Sequence, residues 1–219
     1  MKSAVIVFPG SNCDRDCKTA FKLFDEFNVS MIWHKETSIP KIDLLVLPGG
    51  FSYGDYLRCG AIAAKSPIMK AVKTFYNDGG FIIGICNGFQ ILTESEILPG
   101  ALIPNSTQKF ICKDQDLIVT NNKTLFTSGF KNKATISIPI AHHDGNYFLT
   151  DTELQELEQN ERIIFKYENN PNGSIGDIAG VCSENKRVIG MMPHPERAID
   201  KDLGSVSGLT IFKSIIAGF

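Results

Sequence analysis

Cys86 and His194 are the residues best placed to do chemistry together. Cys86 sits in the frame Gly84-Ile85-Cys86-Asn87-Gly88. Phe81 to Ile85 is apolar, partly β-branched and entered through Gly79-Gly80, which reads as a buried strand. Phe89, Ile91 and Leu92 then begin a helical pattern. A cysteine where a strand turns sharply into a helix, flanked by small residues, has the logic of the nucleophile elbow usually built around serine. The partial positive charge of a helix N-terminus favours the thiolate over the thiol. A small buried core cysteine is the plainer alternative for this stretch taken alone.

A thiolate nucleophile needs a base, and the base needs an orienting group. Arg187 to Met192 reads as a strand that runs directly into Pro193-His194-Pro195-Glu196-Arg197. Imidazole titrates near neutrality, and Glu196 can hold its second ring N–H and fix the tautomer. The prolines on both sides of His194 stiffen the segment. In open α/β sheets, ligand groups collect beyond the carboxyl ends of the strands, which is where Cys86 and His194 both emerge. The third piece is Pro48-Gly49-Gly50, after the strand-like Leu44 to Leu47. A backbone N–H of Gly49 or Gly50, with that of Asn87, could form an oxyanion hole. An ordinary strand-exit turn is the alternative there. Gln90 lies one helical turn beyond Cys86 and can look back at the pocket.

The elements that must position these groups alternate along the first part of the chain. Ala4 to Phe8 and Val29 to Trp33 read as strands. Ala20, Phe21, Phe24 and Phe27 recur at helical spacing, and Ile68, Met69, Val72, Phe75 and Tyr76 mark a second helix. Strands alternating with helices argue for a parallel sheet with crossover helices. From Pro99 the pattern changes to short strand-like pieces, 110–112, 117–119 and 134–138, which look antiparallel. Thr152 to Gln159 reads as a short helix, and 163–167, 178–182 and 188–192 as strands. Phe212, Ile215, Ile216 and Phe219 share one face of a closing helix. Residues 1–219 read as one domain. His142-His143-Asp144 lines the pocket or a subunit interface, or forms a polar hairpin loop, and the Asp14/Arg15/Asp16 cluster is a solvated helix start or a docking surface. His34 reads as structural.

Composition narrows the class. The chain has 219 residues, 43% hydrophobic and 21% charged, with a formal net charge of −2. That is ordinary for a globular protein and gives no reason to expect a nucleic-acid partner. No apolar run approaches the ~20 residues of a membrane-spanning helix. The cysteines at 13, 17, 59, 86, 112 and 182 follow no framework spacing, so reduced thiols in a cytoplasm are expected. Cys13 and Cys17 are one helical turn apart, but no second ligand pair matches them, so no metal site is expected.

Together these pieces resemble the class I, triad-type glutamine amidotransferases. The match extends through FPGSNCDRD at 8–16, LPGGFSYGDYLRCGAIA at 47–63, GICNGFQIL at 84–92, DIAGV at 177–181 and GMMPHPERA at 190–198. It covers nearly the whole chain, and the 47–63 run looks like the branch that serves purine biosynthesis. The resemblance implies a flavodoxin-like, open, mainly parallel twisted sheet with helices on both faces and a small antiparallel extension. It implies a Cys86–His194–Glu196 triad that hydrolyses glutamine through a thioester, with Gln90 on the substrate. It also implies delivery of ammonia to a separate ATP-dependent synthetase subunit, with a small third subunit in the complex. On that reading ATP and Mg belong to the synthetase subunit, and this chain carries no cofactor. Two other readings compete. An amidotransferase of another pathway is disfavoured by the 47–63 run. A cysteine hydrolase like DJ-1/PfpI often has His directly after the Cys, where this chain has Asn87.

Overall fold

The structure, a computed structural model, describes residues 1–219 apart from the Leu203 side chain. The chain forms β1 (Lys2–Val7), α1 (Asp14–Lys22), β2 (Asn28–Trp33), β3 (Leu44–Leu47), α2 (Ile68–Asn77), β4 (Phe81–Ile85) and α3 (Asn87–Glu94). Then follow β5 (Ala101–Ile103), β6 (Ile111–Val119), β7 (Thr135–His142), β8 (Asn146–Phe148), α4 (Asp151–Gln159), β9 (Ile163–Tyr167), β10 (Ile178–Cys182), β11 (Val188–Met191) and α5 (Leu209–Gly218).

Nine strands make one sheet in the order β2-β1-β3-β4-β11-β10-β9-β6-β7. The pairs from β2 through β11 are parallel. With β11 in fifth place this is the flavodoxin-like order 2-1-3-4-5. The four strands beyond β11 pair antiparallel and continue the same sheet. The antiparallel extension is therefore integral to the sheet, and β5 and β8 form a separate two-stranded ribbon.

The sequence explains both halves. β3 (LLVL) and β4 are apolar runs buried along almost their whole length, as strands covered on both faces must be. β6 instead alternates, with Lys113, Asp114 and Asp116 exposed and Gln115 and Leu117 buried. This is the pattern of an antiparallel strand wetted on one face. It joins the two short pieces read at 110–112 and 117–119 into one strand, because polar residues on the outer face do not interrupt the ladder. β7 likewise runs on to His142, past the expected end at 138. α1 stops at Lys22, short of Phe24 and Phe27, yet those rings still pack, with Phe21 against Phe27 at 4.7 Å and against Phe212 of α5 at 4.9 Å. β5 and β8, three residues each, carry too little periodicity to be read from sequence. α4 is opened by a capping box in which Thr150 and Glu153 satisfy each other's backbone N–H. No helix among the described residues is long and apolar enough to cross a membrane.

Candidate active site

The register of β4 against β11 does the first part of the positioning. The strands are parallel with Ile85 opposite Met191, and the Cys86 N–H donates to the Met191 carbonyl at 2.7 Å. Cys86 and the 193–197 segment therefore leave the sheet side by side at one edge. Cys86 takes φ 49°, ψ −105°, a left-handed conformation that costs about 1–3 kcal/mol and persists only where the surroundings hold it. The holding is visible. The Cys86 carbonyl accepts the Phe89 and Gln90 N–H groups, which locks the first turn of α3 onto the elbow. A Cβ on Gly88 would lie 1.9 Å from the Leu47 carbonyl oxygen, and one on Gly84 2.4 Å from Leu92. The elbow frame is glycine at both positions because helix and strands touch there.

His194 is fixed from several sides. Its Nδ1 lies 2.6 Å from Glu196 Oε1, with both side chains buried. Its backbone N–H donates to the Pro139 carbonyl of β7 at 2.8 Å. Since Nδ1 is engaged with Glu196, Nε2 is the ring nitrogen left for chemistry, and it has no hydrogen-bond partner among the described residues. Burial works to lower the His194 pKa. The Glu196 carboxylate and, after it, the neighbouring Cys86 outweigh it and hold it well above the usual histidine value. Glu196 thus both orients the ring and stabilises its protonated form.

The Cys86 sulfur lies 3.8 Å from the Ala141 carbonyl of β7, at the wall of a cavity of about 150 Å³. Gly50, Phe51, Asp55, Cys59, Gln90 and the 141–144 segment complete the lining. Gly50 has φ +129°, and a Cβ there would fall 2.6 Å from the Asn12 amide nitrogen, so only glycine fits. Gly49 packs instead against the imidazole, where an added Cβ would meet His194 Cε1 at 2.8 Å. Of the two glycines, Gly50 is the one whose backbone lines the cavity with Cys86. Asn87 is the first residue of α3, so its N–H has no intrahelical partner. Backbone donors from Gly50 and Asn87 near a thiol, a buried imidazole and a carboxylate have the parts for acyl transfer.

Gln90 also lines the cavity, with its amide committed. Oε1 accepts from Asn87 Nδ2 at 2.9 Å, and Nε2 donates to the Asp144 carbonyl at 2.7 Å. It ties α3 to the 141–144 segment. That segment is pocket lining, which decides the question left open at His142-His143-Asp144. His143 pairs outward with Asp144 at 2.6 Å, its side chain 48% exposed. His142 is buried; burial and the charge of His194 lower its pKa to about 3, against a smaller raising effect of Asp144, so it stays neutral.

Sequence reading missed the acidic wall. Asp144 Oδ2 accepts from the Cys59 thiol at 2.9 Å, and burial and then Asp144 push the Asp55 carboxyl above its ordinary value, against the Cys59 hydrogen bond. Cys59 is held as a thiol by burial and by these two carboxylates. Both Asp55 and Cys59 sit inside the 47–63 motif, which was the available signal. The Asp14/Arg15/Asp16 cluster divides, with Asp16 bound by Arg197 at 3.1 and 3.2 Å. His34 is structural, as expected, with Nδ1 2.7 Å from the Tyr53 hydroxyl.

Comparison with known proteins agrees with this geometry. The family described as the CobB/CobQ-like glutamine amidotransferase domain matches residues 1–207. A phosphoribosylformylglycinamidine synthase subunit PurQ from a Ruegeria species is 55% identical over 216 residues, 98% of this chain and 97% of the relative. A PurQ subunit from a Jannaschia species is 54% identical over 218 residues, 99% of this chain and 98% of the relative. Among solved structures, that of PurLQS from Thermotoga maritima contains a chain with a TM-score of 0.91 at 44% identity, covering 99% of this chain and 98% of that one. Identity at this level, along the whole length and with the same fold, means that the chain belongs to the CobB/CobQ-like glutamine amidotransferase domain family, in its PurQ branch.

Proposed function

We propose that this chain is the glutaminase subunit of phosphoribosylformylglycinamidine synthase in purine biosynthesis, with residues 1–219 acting as a single amidotransferase domain in the cytoplasm. Cys86 Sγ attacks the side-chain carbonyl carbon of glutamine. His194 Nε2 takes the thiol proton and passes a proton to the departing ammonia. The tetrahedral oxyanion is met by the backbone N–H groups of Gly50 and Asn87. The glutamyl thioester is then attacked by water, His194 again acting as base, which releases glutamate and restores the thiol. Gln90 shapes the wall that holds the glutamine.

Ammonia passes to the ATP-dependent synthetase subunit, which converts formylglycinamide ribonucleotide to the amidine, with a small third subunit in the complex. ATP and Mg act there. The loop after Gly50 supports a partner on this face: Tyr56 is 75% and Leu57 92% exposed, while Phe51 and Asp55 of the same loop line the cavity. A chain seated on Tyr56 and Leu57 would bear on the oxyanion loop.

The observation that carries the reading is the β4–β11 register, which delivers the strained Cys86 and the His194–Glu196 pair to one edge. The test is reconstitution with the synthetase and third subunits, ATP and the ribonucleotide. Glutamine should support amidine formation, and its kcat for hydrolysis should rise on assembly far more than KM changes, as expected for a gain confined to the transition state. Cys86→Ala should abolish glutamine use and leave ammonia use intact. Retained glutamine use by that variant, or equal kcat before and after assembly, would refute the nucleophile or the gating respectively.

A further inference from the structure

A second cysteine, Cys13, approaches the same His194 imidazole. Cys13 Sγ, a ring nitrogen of His194 and a carboxylate oxygen of Glu196 all lie within 4.8 Å of one another, and all three residues are buried. The Cα of Gly49 shows which side this is. An added Cβ there would meet His194 Cε1 and Nδ1 at 2.8 and 3.3 Å and Cys13 Sγ at 3.4 Å, so the sulfur sits on the Nδ1 side of the ring. Glu196 Oε1 is on Nδ1, while Oε2 is buried with no hydrogen-bond partner among the described residues. A cavity of about 190 Å³, which includes Cys13, His194 and Arg197 in its wall and shares Gly50, Phe51 and Ala141 with the glutamine cavity, gives access.

We propose that Cys13, His194 and Glu196 form an inhibitory site for a thiophilic divalent ion, Zn²⁺ or Cd²⁺. Thiolate, imidazole and carboxylate are zinc's ordinary ligands, three of them leave a fourth position for water, and a soft thiolate disfavours Mg²⁺ and Ca²⁺. The ion takes the place of the proton between Nδ1 and Glu196, which passes to Nε2, and Cys13 binds as the thiolate, so binding tightens as pH rises. With the metal on Nδ1, Nε2 is left as a fixed N–H donor and cannot take the Cys86 proton. Arg197 Nη2, 3.1 Å from Cys13 Sγ, must yield to the ion; its bonds to Asp16 give it a place to remain.

The inhibitory consequence rests on the role of His194 proposed above, whereas the site itself does not, and the test separates them. In the full chain carrying Cys112→Ser, to remove the exposed thiol, and Cys86→Ser, to remove the nucleophile, Cd²⁺ is titrated and the sulfur-to-metal charge-transfer absorption followed. One equivalent should give the band. Adding Cys13→Ser should abolish it, and adding Glu196→Gln or His194→Ala should weaken binding by about tenfold or more. Serine is a favoured helix N-cap, so the Cys13 variant at the head of α1 should fold. In the chain with Cys86 present, Zn²⁺ should inhibit glutamine turnover in the assembled complex, a chelator should restore it, and Cys13→Ser should raise the inhibitory concentration by at least about tenfold. A band unchanged by Cys13→Ser, or metal bound through Cys13 without loss of turnover, would overturn the proposal. A complex that forms no amidine from glutamine even without metal would overturn the proposed function, and the spectroscopic titration would still decide the site.

Discussion

Gly88→Ala is the sharpest mechanical test of the elbow. The added Cβ would lie 1.9 Å from the Leu47 carbonyl oxygen and 2.6 Å from its carbon, where real contacts are not found below 3.0 Å. The two must part by about 1.1 Å, and the obstacle is backbone, so no rotamer change relieves it. β3 is held by β1 on one side and β4 on the other, which leaves α3 to move. Its first N–H, that of Asn87, is an oxyanion donor in the mechanism proposed here. A displacement of about 1 Å at a reacting centre lowers the rate by about 10²-fold, similar to losing one oxyanion donor. Overpacking should also lower stability by about 1–3 kcal/mol, partly offset by the ~1 kcal/mol better helix propensity of alanine. The assay is kcat for glutamine-driven amidine formation in the assembled complex, with ammonia-driven formation as the internal control. The expected result is a fall of about 10²-fold with glutamine and no change with ammonia. Glutamine turnover within about threefold of the parent would show that the elbow geometry does not set the rate.

His194→Ala should reduce glutamine turnover by several orders of magnitude, as loss of a triad member commonly does, whereas His143→Ala should keep most of it; the opposite ranking in steady-state kinetics would move the base to the 141–144 segment. His142, with a folded pKa of about 3 against about 6.5 unfolded, gives stability that is complete above about pH 6.5 and is lost as pH falls below it, by about 1.4 kcal/mol per unit. His34, lowered by burial, acts with the same sign, and His194, raised, acts oppositely above that window. Denaturant unfolding between pH 6.5 and 5 should therefore show a slope that flattens in His142→Gln, and an unchanged slope would contradict the buried neutral assignment.

Much of this site was legible in the sequence because strand-to-helix turns carry local signatures. The apolar run 81–85, the glycines around Cys86 and the strand into Pro193-His194-Pro195-Glu196 each identify their own geometry without tertiary information. Their meeting followed from a single topological rule, that parallel strands release their ligand groups at one edge. What was not legible depends on contacts far apart in sequence. Cys13 reaches His194 only because α1 packs against the 193–197 segment, whereas spacing along the chain relates Cys13 to Cys17 alone. Asp144 and Cys59 meet across 85 positions. β6 was divided by its own outward-facing charges, and the end of β7 carried Ala141 and His142 into the cavity wall where turn residues suggested a loop. The two glycines of the oxyanion loop look equivalent in sequence. Only packing separates Gly49, pressed on the imidazole, from Gly50, which faces the cavity.

The central claim is a glutamyl thioester on Cys86, and it can be trapped directly. The assembled complex is mixed with isotope-labelled glutamine, ATP and the ribonucleotide, quenched in acid during turnover, and the chain is digested and mapped by mass spectrometry. The label should appear on the peptide containing Cys86, disappear with neutral hydroxylamine, and be absent in Cys86→Ala. Label on the peptides of Cys13 or Cys59, or brisk glutamine turnover in Cys86→Ala with no label on the chain, would contradict the account.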